Sequence, residues 1–257
     1  MAEESKFEFT YLPSSRVGSF DKDTEELFQK WGLKGSMYFA SFSYNQHFQA
    51  YQKQSFTKDF FQSPTVNATI QTVSSSGTTS PLSLASDIDE VCVEAVPCTI
   101  LNMGFFDRLT TGQIVRESGS IRKCFDEVCD DIVISDELRK LLLVEDSDNY
   151  CLYNEEERDE LLFKILKHVA LGGPVNQYED FIQAYLDTSK ALYKQLLSVA
   201  KDPNTHAISI ISHVFKTHAK VKGQRVFPGS CDHEQSFCYL IIDNVKRHVT
   251  AWYNVWY

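Results

Sequence analysis

The chain has 257 residues and a formal net charge of −10, from 35 acids against 25 bases, with 43% hydrophobic and 13% aromatic residues. That length and apolar content suffice for a full core and exclude a disordered chain. The acidic balance argues against nucleic acid and anionic lipid as partners, because both require basic protein surface.

The start, Met1-Ala-Glu-Glu-Ser-Lys, lacks the basic-then-apolar pattern of a signal peptide, and no apolar run approaches the roughly 18 residues needed to cross a bilayer. Seven cysteines in no regular framework predict a reducing compartment. The expected location is therefore the cytoplasm.

Phe7, Phe9 and Tyr11 recur at period two and predict a half-buried strand closed by Pro13. Asp21 to Trp31 reads as a helix with acids in its first turn and Leu27, Phe28 and Trp31 on one face. Met37 to Phe42 reads as a second strand. Gln46 to Phe61 places Phe48, Tyr51, Phe56 and Phe60 where a helix would bury them. From about 69 to 87, Ser and Thr crowd around Gly77 and Pro81, predicting a flexible loop with little to bury. Asp89 to Val96 resumes a strand pattern.

The centre reads as helical. Ser135 is placed to cap a helix through Leu143, with Asp136 and Glu137 at its positive end. Asn154 and Glu157 have capping-box spacing ahead of Leu161, Leu162, Ile165, Leu166 and Val169, and Gly172-Gly-Pro ends that helix. Asn176 and Glu179 repeat the spacing, predicting a helix to about Ala200 with a stripe of Phe181, Tyr185, Leu192, Leu196 and Val199. A five-residue link would make these two helices an antiparallel pair.

The remainder reads as β. Ile208, Ile210 and Val214 alternate with Ile211, His213 and Phe215. Phe237 to Ile242 is apolar on both faces, as in a central strand, and Asp243-Asn-Val-Lys turns it into Val249 to Val255. The economical arrangement is one α+β domain over residues 1–257. It would have a mixed or antiparallel sheet of N- and C-terminal strands with the central helical segment packed beside it.

Charge is unevenly placed. Asp126 to Glu160 holds 14 acids and three bases, a net of −11, whereas Lys201 to Tyr257 carries +3. Basic protein surfaces are the natural partners of such an acidic stretch, and a solvated face that keeps the chain soluble is the plainer alternative.

Few constellations suggest chemistry. There is no phosphate-binding Gly-rich motif and no Gly-x-Ser-x-Gly elbow. Cys124 and Cys129 lack a second matching pair for a zinc site; Cys231, His233 and Cys238 lie close in sequence, as a chance cluster of this kind also would. Asp146, Asp148, Asn154 and Glu157 match four positions of a calcium loop, but Tyr150 and Cys151 stand where a ligand and a turn-forming Gly are needed. His168 borders the apolar stripe of its helix, as a hydrogen-bonded core histidine does. No catalytic, cofactor or metal residue is assigned.

The most specific signal lies in whole phrases. Cys124-Phe-Asp-Glu-Val-Cys-Asp, Ile134-Ser-Asp-Glu-Leu-Arg, Leu141-Leu-Leu-Val-Glu-Asp-Ser, Lys167-His-Val-Ala-Leu-Gly-Gly and Gln177-Tyr-Glu-Asp follow in this order. Together with Pro97-Cys98-Thr99, Phe105-Phe106, Arg108-Leu109 and His233-Glu-Gln-Ser-Phe, they resemble the cilia- and flagella-associated protein 300 family. The first few dozen residues and Thr72 to Ser86 depart from that pattern. The resemblance implies a cytoplasmic and ciliary protein needed for outer and inner axonemal dynein arms, acting in preassembly or in intraflagellar transport. It carries over no catalytic residues. Expected partners are dynein subunits, dynein assembly factors or the transport machinery. The expected docking face comprises Glu145, Asp146, Asp148, Glu155, Glu156 and Glu157. Two rival readings stay open: a metal-dependent enzyme acting on dynein subunits or their chaperones, and a stable axonemal component.

Overall fold

The computed structural model describes residues 6–73, 78–82, 88–230 and 232–256. In chain order they form β1 (Phe9–Tyr11), α1 (Lys22–Lys30), β2 (Met37–Tyr44), α2 (Lys53–Gln62), α3 (Pro64–Thr69), β3 (Gln71–Val73), β4 (Thr79–Pro81) and β5 (Glu90–Val96). Then come α4 (Arg108–Thr111), β6 (Lys123–Cys129), β7 (Ile132–Asp136), α5 (Glu137–Leu143), α6 (Glu155–Asp159), α7 (Leu161–Leu171) and α8 (Gln183–Leu196). The chain closes with β8 (Val199–Lys201), β9 (Ile208–Ile210), β10 (His213–Val221), β11 (Gln224–Phe227), β12 (Phe237–Asp243) and β13 (His248–Asn254). The fold class is α+β, as the sequence predicts. Its contacts sort into two compact units, Met1–Ser19 with Gly35–Val96 and Gln195–Tyr257, and Phe20–Lys34 with Pro97–Lys194.

The first unit is built on a seven-stranded sheet in the order β1-β2-β13-β12-β10-β11, with β5 also paired to β10. Every pairing is antiparallel, and the two ends of the chain meet where β2 lies against β13, from Met37↔Asn254 to Ser43↔His248. All seven residues of β12 are buried, which accounts for its unbroken apolar run. The predicted β12–β13 turn forms because Asp243 Oδ1 accepts from the amides of Val245 (3.0 Å) and Lys246 (2.9 Å). On α2, Phe56 meets Phe7, Phe9, Tyr44 and Phe48 edge-on, with centroids 4.8–5.3 Å apart.

The second unit holds α1, α4 to α7, most of α8 and the β6–β7 hairpin. Asp21 caps α1 by accepting from the Thr24 amide. The α7 side chains named above are buried, and His168 is buried with them. Gly172 ends α7 at φ +62°. A Cβ on Gly173 would fall 2.1 Å from the Gly32 carbonyl oxygen, so this turn accepts no larger residue.

Several expectations are corrected. Residues 123–136 form a β-hairpin rather than continuing a helical centre. Asp130 and Asp131 take positive φ (47° and 63°), the geometry of a tight two-residue turn, and Ile132 and Ile134 point inward. Ser135 thus belongs to β7, and the cap of α5 is Asp136, whose carboxylate accepts from the Arg139 amide at 2.9 Å. The helix from Asn154 breaks at Glu160, whose ψ of 135° separates α6 from α7. Asn176 and Glu179 do not start α8. Asn176 Nδ2 donates to the Ala170 and Leu171 carbonyls at the end of α7, while Glu179 accepts from Trp31 Nε1 (2.9 Å) and pairs with Lys30 (2.7 Å). The link between α7 and α8 is correspondingly longer than five residues. Phe181 and Val199 are 56% and 57% exposed, so the stripe narrows to Tyr185, Leu192 and Leu196. Tyr51 is likewise exposed, and the C-terminal alternation breaks between β9 and β10.

Of the expected loop at 69–87, residues 74–77 and 83–87 lie outside the described residues. The described part pairs β3 with β4 and buries Leu82. It is not loop throughout.

Candidate functional site

The acidic stretch after α5 has no regular ladder to satisfy its backbone, and two arginines do that work. Arg158 Nη2 donates to the carbonyls of Leu141 (2.8 Å) and Tyr150 (2.7 Å), its Nε donates to the Tyr153 carbonyl, and its guanidinium lies 3.4 Å from the Tyr150 ring centroid. Burial holds its pKa below the usual arginine value. Arg108 Nη1 donates to the Leu152 carbonyl at 3.2 Å and forks onto Glu157 at 3.0 and 2.6 Å. With its carbonyls held from within, the loop turns its carboxylates outward.

Glu145, Asp146, Asp148, Glu155 and Glu156 are exposed. Glu157 has a different position. It closes a capping box with Asn154, as the spacing predicts, and it is the anion gripped by Arg108. That pairing holds its carboxyl below the ordinary value of 4.5 and raises the arginine in turn. The structure therefore sets five of the six expected docking acids toward solvent and places the sixth inside the scaffold.

Asp146 and Asp148 also line a cleft of about 720 Å³. Across it stand Glu127 of β6 and Glu137 and Lys140 of α5. Asn149 Nδ2 donates to Glu137 at 3.0 Å, and Lys140 lies 3.7 Å from Glu127. The lining holds four carboxylates against three cations, so the cleft is only slightly acidic. Arg122 and Lys123 also reach it, and Lys123 pairs with Asp180 at 2.9 Å.

Behind this site lies a buried charge pair that no local sequence pattern announces. Arg139 is wholly buried, paired with an equally buried Asp136. Its Nη2 donates to the Ala170 carbonyl and the Tyr185 hydroxyl, both at 2.7 Å, and its guanidinium lies 3.3 Å from the Tyr178 ring centroid. Glu160, at the break between α6 and α7, is buried as well and accepts from the Thr99 amide (2.9 Å) and hydroxyl. One sequence signal points here: Arg139 and Arg158 are two of only three bases among the 14 acids of that stretch.

Three of the thiols, Cys98, Cys124 and Cys238, are held above the ordinary cysteine value. Burial pushes Cys98 up to about 12, with the Glu160 charge adding to it, and burial does the same for Cys238. Burial and then Glu137 raise Cys124. Of the Cys231, His233 and Cys238 cluster, Cys231 lies outside the described residues. His233 stacks on Trp256 at 4.1 Å, with Nδ1 accepting from the Gln235 amide. Among the described residues no three His, Cys, Asp or Glu side chains are placed to hold a metal ion, and no helix is long and apolar enough to cross a membrane.

The model of the family described as Cilia- and flagella-associated protein 300 matches residues 6–254. A protein of that name from Paramecium tetraurelia is 35% identical over 236 residues, covering 92% of this chain and 88% of the relative. One from Chlamydomonas reinhardtii is 33% identical over 251 residues, covering 95% of each. No solved structure matches the chain.

Proposed function

The chain belongs to the cilia- and flagella-associated protein 300 family, and from that premise we propose that it is a non-enzymatic adaptor for axonemal outer and inner dynein arms. Family membership makes it a protein of cilia and flagella. The finer reading is that it acts in cytoplasmic preassembly of the arms, in their delivery by intraflagellar transport, or in both, before they reach the axoneme of motile cilia. Its partners would be dynein subunits or assembly factors, engaged through Glu145, Asp146, Asp148, Glu155 and Glu156.

The observation that carries this reading is the family match from residue 6 to 254, which makes the whole chain typical of the family rather than one module of it. The geometry supports binding over catalysis in two ways. Arginines hold the acidic loop in shape without consuming its outer carboxylates, and burial raises the Cys98 and Cys238 thiols rather than activating them. Exposed carboxylates contribute little singly, so such a face steers a basic partner and works with an apolar anchor.

The test is affinity capture of a tagged copy from the cytoplasm of cells building motile cilia. A second copy carries Glu145→Gln, Asp146→Asn, Asp148→Asn, Glu155→Gln and Glu156→Gln, with Glu157 left intact. The native copy is expected to enrich axonemal dynein chains and their assembly factors, and the neutralised copy to enrich less at an unchanged melting temperature. Capture of transport components without dyneins would move the function to delivery. Capture of neither would overturn the reading.

A further inference from the structure

The apolar anchor that such an acidic protein needs is visible on the β6–β7 hairpin. Phe125 is 98% exposed, the opposite of the buried phenylalanines of the core, and Val128 and Val133 are 71% and 46% exposed. Val128 and Val133 are direct cross-strand partners and so share one face, while Ile132 and Ile134 fill the other. The ladder is irregular between Lys123 and Glu127, the stretch that contains Phe125. Such a bulge re-aims a side chain.

The hairpin also has an open side. Among the described residues β6 pairs as a strand with β7 alone, so the far edge of β6 from Cys124 to Val128 offers a place for an incoming strand. β7 is less free, because the Tyr178 hydroxyl donates to the Val133 carbonyl at 2.7 Å.

Charge decides what fits that edge. From Cys124 to Glu137 there are six acids and no base, and Asp126, Glu127, Asp130 and Asp131 are exposed around the apolar face. Pairing β6 with the β6 of a second copy would set carboxylates against carboxylates, which is unfavourable. Nucleic acid is repelled for the same reason. A strand carrying lysine or arginine between apolar side chains meets both demands, neutralising the acids while covering Phe125 and Val128.

We propose that the open edge and exposed face of the β6–β7 hairpin dock a basic, extended segment of a partner protein, which adds a strand beside β6 with Phe125 as its anchor. The proposal rests on the adaptor reading only for which protein carries that segment.

The test uses the full chain and fluorescent peptides of alternating lysine and valine, titrated by fluorescence anisotropy, with backbone amide exchange to locate the contact. The lysine–valine peptide is expected to bind roughly tenfold or more tightly than a glutamate–valine peptide, and to weaken as salt rises. A central proline, which removes a ladder donor, is expected to abolish binding. Phe125→Ser with Val128→Ser is expected to cost roughly tenfold or more, as loss of a central anchor does. Both residues are exposed, so near-ultraviolet circular dichroism and the melting temperature should not change. Binding that survives the double substitution, protection away from residues 123–129, or self-association of the chain through this hairpin would each overturn the proposal. The two readings fail separately. If the peptide binds but no dynein is captured, the adaptor reading falls and the docking edge stands. If dyneins are captured equally by native and doubly substituted chains and the peptide does not bind, the edge falls and the adaptor reading stands.

Discussion

The two units solve the same problem, satisfying a buried backbone, by different means. In the sheet unit the ladder pairs the backbone, and side chains are left free to pack. Phe56 alone meets four aromatic neighbours edge-on, and β12 is buried along its whole length. In the helical unit the helices are short and their ends numerous, and each end leaves carbonyls without a partner. Arginine meets that need, because its guanidinium presents five donors in a rigid fork. Arg139 takes the Ala170 carbonyl, Arg158 takes those of Leu141, Tyr150 and Tyr153, and Arg108 takes that of Leu152. All three guanidinium groups also lie over tyrosine rings. The acidic segment is thus held together by its own Arg139 and Arg158, with Arg108 reaching it from α4.

The difference is broken most directly at Arg139. Arg139→Met is expected to destabilise by about 3–5 kcal/mol, because it leaves Asp136 charged and buried without its partner. Adding Asp136→Asn should recover part of that loss, and Arg139→Lys should rescue poorly, since a point charge does not reproduce the fork. Denaturant midpoints check all three. In the sheet unit Phe56→Ala should cost a similar amount, about 3–5 kcal/mol, from the cavity it leaves. Here a conservative change behaves differently: Phe56→Leu should restore most of the stability, because volume rather than donor geometry is what the site requires. If Arg139→Lys were rescued as well as Phe56→Leu, the contrast between the two units would not hold.

The same contrast explains what was legible in the sequence. The buried Phe7 and Phe9, the apolar run from Phe237 and the Asp243 turn all report on one face or one local hydrogen bond, and each appears in the structure, although the strand begins only at Phe9 and Tyr11 is exposed. The capping box at Asn154 is local too and was equally readable. The β6–β7 hairpin was missed because its helical neighbours dominated the pattern, although Asp130-Asp131 between β-branched residues was a turn signal. Asn176 and Glu179 misled because spacing shows that a side chain can cap a helix, not that another element has already engaged it. Trp31 and Lys30, which claim Glu179, are about 150 residues away in the chain. The acids of the docking face were readable as charge, but the distinction between exposed Glu156 and gripped Glu157 depends on Arg108, which no local pattern announces.

Glu157 supplies a smaller effect that sharpens the comparison. Glu157→Ala removes the return bond of the capping box and the fork to Arg108, and should cost about 1–2 kcal/mol. Its carboxyl is held low by Arg108, so its contribution is complete above the ordinary carboxylate value of 4.5 and fades as pH falls through the depressed one. The gap between native protein and Glu157→Gln should therefore close only under strongly acidic conditions, measured as urea midpoints across pH.

The smallest expected effect lies in the sheet unit and has its own pH window. His218 on β10 is held below 6.5, first by burial and then by the nearby charges of Arg225 and Lys220, against the opposing influence of Asp232 and Glu90. A depressed histidine makes the unfolded chain bind protons more readily than the folded one. Stability is then complete above about pH 6.5 and declines as pH falls from there toward the lower folded value. The native urea midpoint should drop between neutral and mildly acidic pH, and His218→Gln should flatten that drop without altering the later loss that belongs to Glu157. Acidification would in this way unsettle the sheet unit before the helical one, although the helical unit carries most of the acids. A native midpoint that stays level until carboxylates titrate would show that the charges on β10 and β11 are too well solvated to act on His218, and that packing alone governs the sheet.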